Sequence, residues 1–339
     1  MPLDIRQLLR AASRTFALSI EQLPGVVGDA MCLAYLLLRV SDFLEDNGHM
    51  PPARKVELLG LWDQILAGEA DPRALLAQLH DLPPAEANHP DAQVALNAVE
   101  VLRRVHALPR PVQTQMLVHV RNSTQGMARW VARGPDILQE PDMDDYMHEV
   151  AGRVGYLVTD VFAWYSGFVR AKLNILMPLA REFGLALQTV NVIRGLRKDY
   201  ERGWIYVPES FCAAVNLNRA DLFKPEYQRQ ALQVVDMLAN KAERHLTSAL
   251  RYVEALPPWL HTLRLACIWP LLFAVRTLAI SRDNVNVLLG EVKMTRDDVK
   301  TIVRDTWLFG WSNRWLEGYV RRIKANPRTP LSARPFGAA

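Results

Sequence analysis

The chain has 339 residues, enough to bury a large core within one or two domains. Half of it is hydrophobic and 22% is charged, which excludes a disordered or collagen-like protein. Forty Lys and Arg against 36 Asp and Glu leave a net charge of +4 spread along the chain. That excludes a histone-like partner of nucleic acid and leaves open a local positive patch for an anionic small molecule.

From the N-terminus, MPLDIRQLLRAASRTF carries charges inside its apolar stretch, unlike a secretory signal. Apolar residues then recur with a helical period, as in Leu58, Leu61, Ile65 and Leu66, and in Val112, Met116, Leu117 and Val120. Two-residue alternation is nearly absent, so the sequence predicts an all-α fold of about ten to twelve helices in one domain over residues 1–322. Pro51-Pro52, Pro83-Pro84, Pro109 with Pro111, Gly134-Pro135, Pro141, Pro225 and Pro257-Pro258 punctuate the periodic segments. Cys32, Cys212 and Cys267 lie far apart with no zinc spacing, as expected of buried thiols in a reducing compartment. The segment nearest to a membrane span, 265–280, is short, contains Pro270 and is interrupted by Arg276. A soluble, cytoplasmic protein without a transmembrane segment is expected. Residues 323–339, with Pro327, Pro330 and Pro335 and few apolar side chains, read as a loose tail. GxGxxG, P-loop and GxSxG patterns are absent.

Chemistry gathers in two segments. Ala30 to Asn47 begins as a nearly continuous apolar helix and ends in Asp42, Glu45 and Asp46. Residues four apart stack on one helix face, so Asp42 and Asp46 present two carboxylates to one point, with Glu45 one step around. Acids at a helix C-terminus oppose its dipole and repel one another, and a hard divalent ion such as Mg²⁺ would offset that cost. For an isolated DxxxD, a solvated helix end is the better explanation; the strongly apolar helix before the acids argues for a cavity wall. In Phe183 to Ser210, Gln188, Asn191 and Arg194 recur every three residues on an apolar helix, followed by Asp199 among Arg197, Lys198 and Arg202. Buried amides and a guanidinium in a row point to a polar cavity wall. Acids beside bases suit a metal-bridged diphosphate.

The segments SRTFALSI, YLLLRVSDFLED, YMHEVAGRVG, LALQTVNVIRGLRKDYERGWIYVP and CIWPLLFAVRTLA, in this order, resemble squalene and phytoene synthases over roughly residues 5 to 322. The resemblance implies an isoprenoid synthase-type helical bundle around a central cavity, and Mg²⁺-assisted ionisation of an allylic isoprenyl diphosphate. It assigns metal binding to Asp42, Asp46 and Asp199, and diphosphate or substrate contact to Ser13, Arg14, Arg39, Arg194 and Arg202. Tyr35 and Tyr146 become tyrosines near the cation, and Gln188, Asn191 and Trp269 wall residues. The family's acceptor is a second farnesyl diphosphate, giving squalene or dehydrosqualene.

Two departures bear on that acceptor. The family's second DxxxD follows the Asn-x-x-Arg element, but its first aspartate is here Gly195, leaving Asp199 alone. Trp269 stands where a smaller apolar residue is usual, which shortens a channel for two prenyl chains or offers a flat face to an aromatic acceptor of carbazole or indole type. Trp307, Trp311 and Trp315, spaced by four on one expected helix, read first as core packing. Lys293 matches a position associated with NADPH use, but the basic pattern after it is incomplete, which argues against reductive chemistry. A homologue that only binds isoprenoids is the third alternative.

Overall fold

The computed structural model describes residues 4–134 and 136–333, the side chains of Arg14 and Ala333 excepted. All regular structure among these residues is helical, as the sequence period predicts. Nineteen α-helical segments form among them, more than the expected ten to twelve. Prolines restart short helices at Pro72, Pro84 and Pro90, where the missing N–H would have had no partner in any case. The chain groups into two compact units, residues 1–134 with 153–173, and residues 135–152 with 174–339.

The centre of the first unit is the helix Gly25–Asp46, buried along most of its length from Val27 to Glu45. It packs on Pro52–Ala67 and on Arg110–Arg133. Gly28 permits a close approach at its start, since a Cβ there would lie 2.6 Å from the Leu23 carbonyl oxygen. A hydrogen bond of 2.7 Å between the buried Ser41 and Thr124 hydroxyls ties two of these helices together. At the C-terminal end, the buried Lys55 donates to the Glu45 carbonyl at 2.6 Å, placing a cation where the helix dipole is negative. These contacts fix where the acids emerge.

The second unit is built on Leu173–Glu201, Gln228–Ala255 and His261–Ser281, followed by Arg296–Phe309 and Asn313–Ala325. His261–Ser281 is long and apolar enough to cross a membrane, with a mean hydropathy of 1.7 over 18 residues, but 83% of that window is buried inside the protein. The helix itself runs unbroken through Pro270 and Arg276. Both of its arginines are buried because each is surrounded by acceptors. Arg264 donates to the carbonyls of Val253, Leu256 and Gly310 and to Asn313 Oδ1. Arg276 pairs with Asp298 at 3.2 Å and donates to the carbonyls of Asn326, Pro327 and Thr329. Asp298 also accepts from the Leu331 N–H at 3.1 Å. Residues 323–333 are therefore held rather than loose, and 334–339 lie outside the described residues.

Two local features differ from simple helical continuity. Trp307, Trp311 and Trp315 do not share a helix: the first helix ends at Phe309 and the next starts at Asn313 with Ser312 as its cap. A π-helical turn spans His148–Gly152, and Gly184 lies against it so closely that a Cβ would fall 2.2 Å from the Ala151 carbonyl oxygen.

Arg264→Leu removes the donor that the carbonyls of Leu256 and Gly310 and the Asn313 Oδ1 share. A loss of about 3–5 kcal/mol in unfolding free energy is expected. A denaturant midpoint equal to that of the wild type would show that these carbonyls find other partners.

Candidate functional site

In the first unit, Tyr35, Arg39, Asp42 and Asp46 form one stripe of the helix Gly25–Asp46, spaced by four, three and four residues. Ser13 caps the helix Arg14–Glu21 by accepting from the Phe16 N–H at 3.2 Å, and its side chain also bonds Tyr35. Burial raises the Tyr35 hydroxyl pKa, against the pull of the Arg39 charge and the Ser13 bond. Arg39 donates through Nη1 to Asp42 Oδ2 at 2.8 Å and through Nε to Asp91 Oδ1 at 3.0 Å, and its Nη2 bonds the other Asp91 oxygen. Asp91 lies on the short helix Pro90–Leu96, 52 residues away in sequence, where no motif marks it. Only the pairing itself reveals it.

Asp42 keeps 28% of its side chain exposed, yet burial, together with the charges of Asp46 and Asp91, pushes its carboxyl from the ordinary 3.8 to about 6 against the opposing charge of Arg39. Asp46 is exposed at the helix end, whereas Glu45 turns into the buried side and does not join the pair. Among the described residues no three His, Cys, Asp or Glu converge as a metal cage. The Arg14 side chain lies outside the described residues.

In the second unit, Gln188, Asn191 and Arg194 do share one face of Leu173–Glu201, with Asn191 Nδ2 at 3.5 Å from Gln188 Oε1. Asn191 and Arg194 are exposed and Gln188 is half-buried, so this row is open to solvent rather than buried as the sequence predicts. Arg194 Nε pairs with Glu291 at 3.1 Å, and the other Glu291 oxygen holds Lys293 at 2.6 Å. Asp199 pairs with Arg202 at 2.6 Å. Its carboxylate lies toward Gly195, where a Cβ would meet Oδ2 at 3.4 Å, an ordinary contact. The missing carboxylate position thus has room for a side chain.

Tyr146 is buried and donates its hydroxyl hydrogen to Tyr206 at 3.2 Å. The two rings stack at 4.8 Å, and Trp204 stacks on Tyr206 at 5.5 Å. Trp204 and Tyr206 were not singled out in the sequence, although both stand in the WIYVP element. Trp269 is a correction. Its side chain is 1% exposed and its indole N–H donates to Thr306 at 2.9 Å, so the ring belongs to the packed interior and presents no face to an aromatic acceptor.

The squalene/phytoene synthase family model matches residues 9–297. The chain belongs to this family. Members are prenyltransferases that condense isoprenyl diphosphates and generally depend on a divalent metal. Squalene synthase of Homo sapiens is 28% identical over 297 residues, covering 88% of this chain and 67% of the human protein. Squalene synthase LSS of Botryococcus braunii is 26% identical over 336 residues, covering 95% of this chain and 68% of the alga's. Among solved structures, a ligand complex of TcSQS superposes with a TM-score of 0.80 at 21% identity, over 99% of this chain and 92% of that one. Squalene synthase HpnC from Alicyclobacillus acidocaldarius gives 0.55 at 18% identity, over 85% and 94%. At these identities the structures show the shared fold.

The raised Asp42 carboxyl makes a stability prediction. Between its ordinary pKa of 3.8 and its folded value of about 6 the folded state holds the proton more tightly, so stability falls as pH rises through that window. Asp42→Asn removes this penalty. Relative to wild type the variant should gain stability between about pH 4 and pH 7, as read from denaturant midpoints at both values; equal differences at the two would show that Asp42 is not strained.

Proposed function

We propose that the protein is a Mg²⁺-dependent prenyltransferase that ionises an allylic isoprenyl diphosphate and joins the cation to the alkene of a second one, the family case being two farnesyl diphosphates and a squalene or dehydrosqualene product. The observation that carries this reading is the Tyr35–Arg39–Asp42–Asp46 stripe, braced by Asp91, in a member of this family. Two carboxylates one turn apart, with Asp42 made protonation-prone by burial and then by the charges of Asp46 and Asp91, fit a hard divalent ion that keeps water and substrate phosphate as its remaining ligands. Asp42 and Asp46, and in the second unit Asp199, would hold Mg²⁺, which when bound neutralises the departing diphosphate.

The chain's own residues supply the rest. Arg39, already desolvated between two acids, is positioned to exchange Asp42 for a phosphate oxygen without reorganising its guanidinium. Arg194 and Arg202 offer the same charge-assisted bonds in the second unit. Tyr35, and the stack of Tyr146, Tyr206 and Trp204, offer ring faces that stabilise a carbocation and exclude water from it. With Trp269 packed away, the aromatic-acceptor alternative retains only Gly195 in its support.

Two experiments test this. Purified protein with farnesyl diphosphate and Mg²⁺, with and without NADPH, is expected to release diphosphate and form a C30 hydrocarbon detectable by mass. Asp42→Asn should lower turnover by about 100-fold or more while the helical spectrum is unchanged. Absence of diphosphate release from any allylic diphosphate, alone or with indole and carbazole acceptors, would favour the isoprenoid-binding alternative. Separately, Gly195→Asp has room beside Asp199 and should lower the Mg²⁺ concentration for half-maximal rate; an unchanged Mg²⁺ dependence would remove Asp199 from the metal's ligands.

A further inference from the structure

We propose that Glu291 is an internal competitor of the diphosphate: in the free protein its carboxylate holds the anion position at Arg194, on a strap that substrate displaces. This rests on the reading of Arg194 as a diphosphate contact. Glu291 lies between the short helix Asn286–Leu289 and the helix Arg296–Phe309, in a stretch with no regular structure. Its two oxygens go to two cations, Oε1 to Arg194 Nε at 3.1 Å and Oε2 to Lys293 Nζ at 2.6 Å. One oxygen on each cation is also how a phosphate group engages such a pair.

Little else fastens this stretch. Main-chain bonding stops at Gly290, whose N–H donates to the Asn286 carbonyl at 2.9 Å, and resumes at Thr295, whose N–H donates to Asp298 at 3.3 Å. Among the described residues, the main-chain groups of residues 291–294 make no hydrogen bond within the protein. The Glu291–Arg194 pair is therefore the one polar tie between these residues and the helix Leu173–Glu201 among the described residues. A segment whose main chain is left to water opens at low free-energy cost.

The tie itself is weak. Arg194 and Glu291 keep 44% and 30% of their side chains exposed, so water and salt screen the pair. Lys293 stays with Glu291 when the pair breaks, so the displaced carboxylate keeps a cation and the strap leaves as a neutral unit. What stays behind is positive. Lys198, one turn beyond Arg194 on the same face, is exposed and has no acid partner among the described residues. A diphosphate carries more charge than one carboxylate and has oxygens for both cations, whereas Glu291 meets Arg194 alone of the two.

The test measures the affinity of the full chain for inorganic diphosphate with Mg²⁺ by titration calorimetry, so that no turnover is needed. Glu291→Gln, and independently Glu291→Ala, should bind diphosphate about threefold to fivefold more tightly than the wild type. Arg194→Gln alone should weaken binding by about tenfold, and adding Glu291→Gln to it should change nothing further. Asp297→Asn removes an exposed acid paired with Lys300 and controls for net charge; its affinity should equal that of the wild type. An Arg194→Gln variant that binds like the wild type overturns the reading of Arg194, and the competitor with it. If Arg194→Gln weakens binding but neither Glu291 variant strengthens it, the strap proposal fails while Arg194 keeps its role. The same holds if the gain persists without Arg194 or is matched by Asp297→Asn.

Discussion

Like charge on a helix end that is itself negative is the constraint around which the first unit is arranged. Asp42 and Asp46 stand on the last turns of a buried helix, where both the dipole and mutual repulsion oppose them. The fold answers with cations placed by neighbouring elements: Arg39 one turn earlier, anchored to Asp91, and Lys55 on the Glu45 carbonyl. The compensation is incomplete: burial first, and then the charges of Asp46 and Asp91, still raise the Asp42 carboxyl. A fold selected for stability alone would replace that aspartate; retaining it fits a group kept for chemistry.

Much of this was legible because it is local. A carboxylate pair four residues apart is written in the sequence, and so are helix starts such as those at Pro52 and Pro84, since proline restarts a helix by a mechanism that needs no neighbours. The all-α class followed from the apolar period for the same reason. What could not be read were partners set by tertiary contact. Asp91 is a commonplace acid beside a proline until the fold carries it to Arg39. Trp204 and Tyr206 become a stack only when Tyr146 lies over them.

Where the reading failed, a local rule met a stronger non-local one. Arg276 reads in the sequence only as a charge that interrupts an apolar run, and the fold buries it in the continuous helix His261–Ser281 by supplying it with four oxygens. The spacing of Trp307, Trp311 and Trp315 suggested one face, but the chain turns at Gly310, where a Cβ would meet the Thr306 carbonyl oxygen at 2.5 Å. Trp269 was read as a substrate surface from what it replaces; Thr306, opposite it, gives its indole a structural partner instead.

Arg276 has a further consequence for how the chain is made. Its carbonyl partners lie 50, 51 and 53 residues later in the sequence. On the ribosome, where sequence emerges from the N-terminus onward, the most apolar helix of the second unit is made before Asp298, 22 residues on, which neutralises its guanidinium, and before the carbonyls that complete its hydrogen bonds. Until they arrive, the cation must stay in water, and it keeps that helix from burying its full length. Full burial of this helix therefore depends on a segment that leaves the ribosome some fifty residues after it.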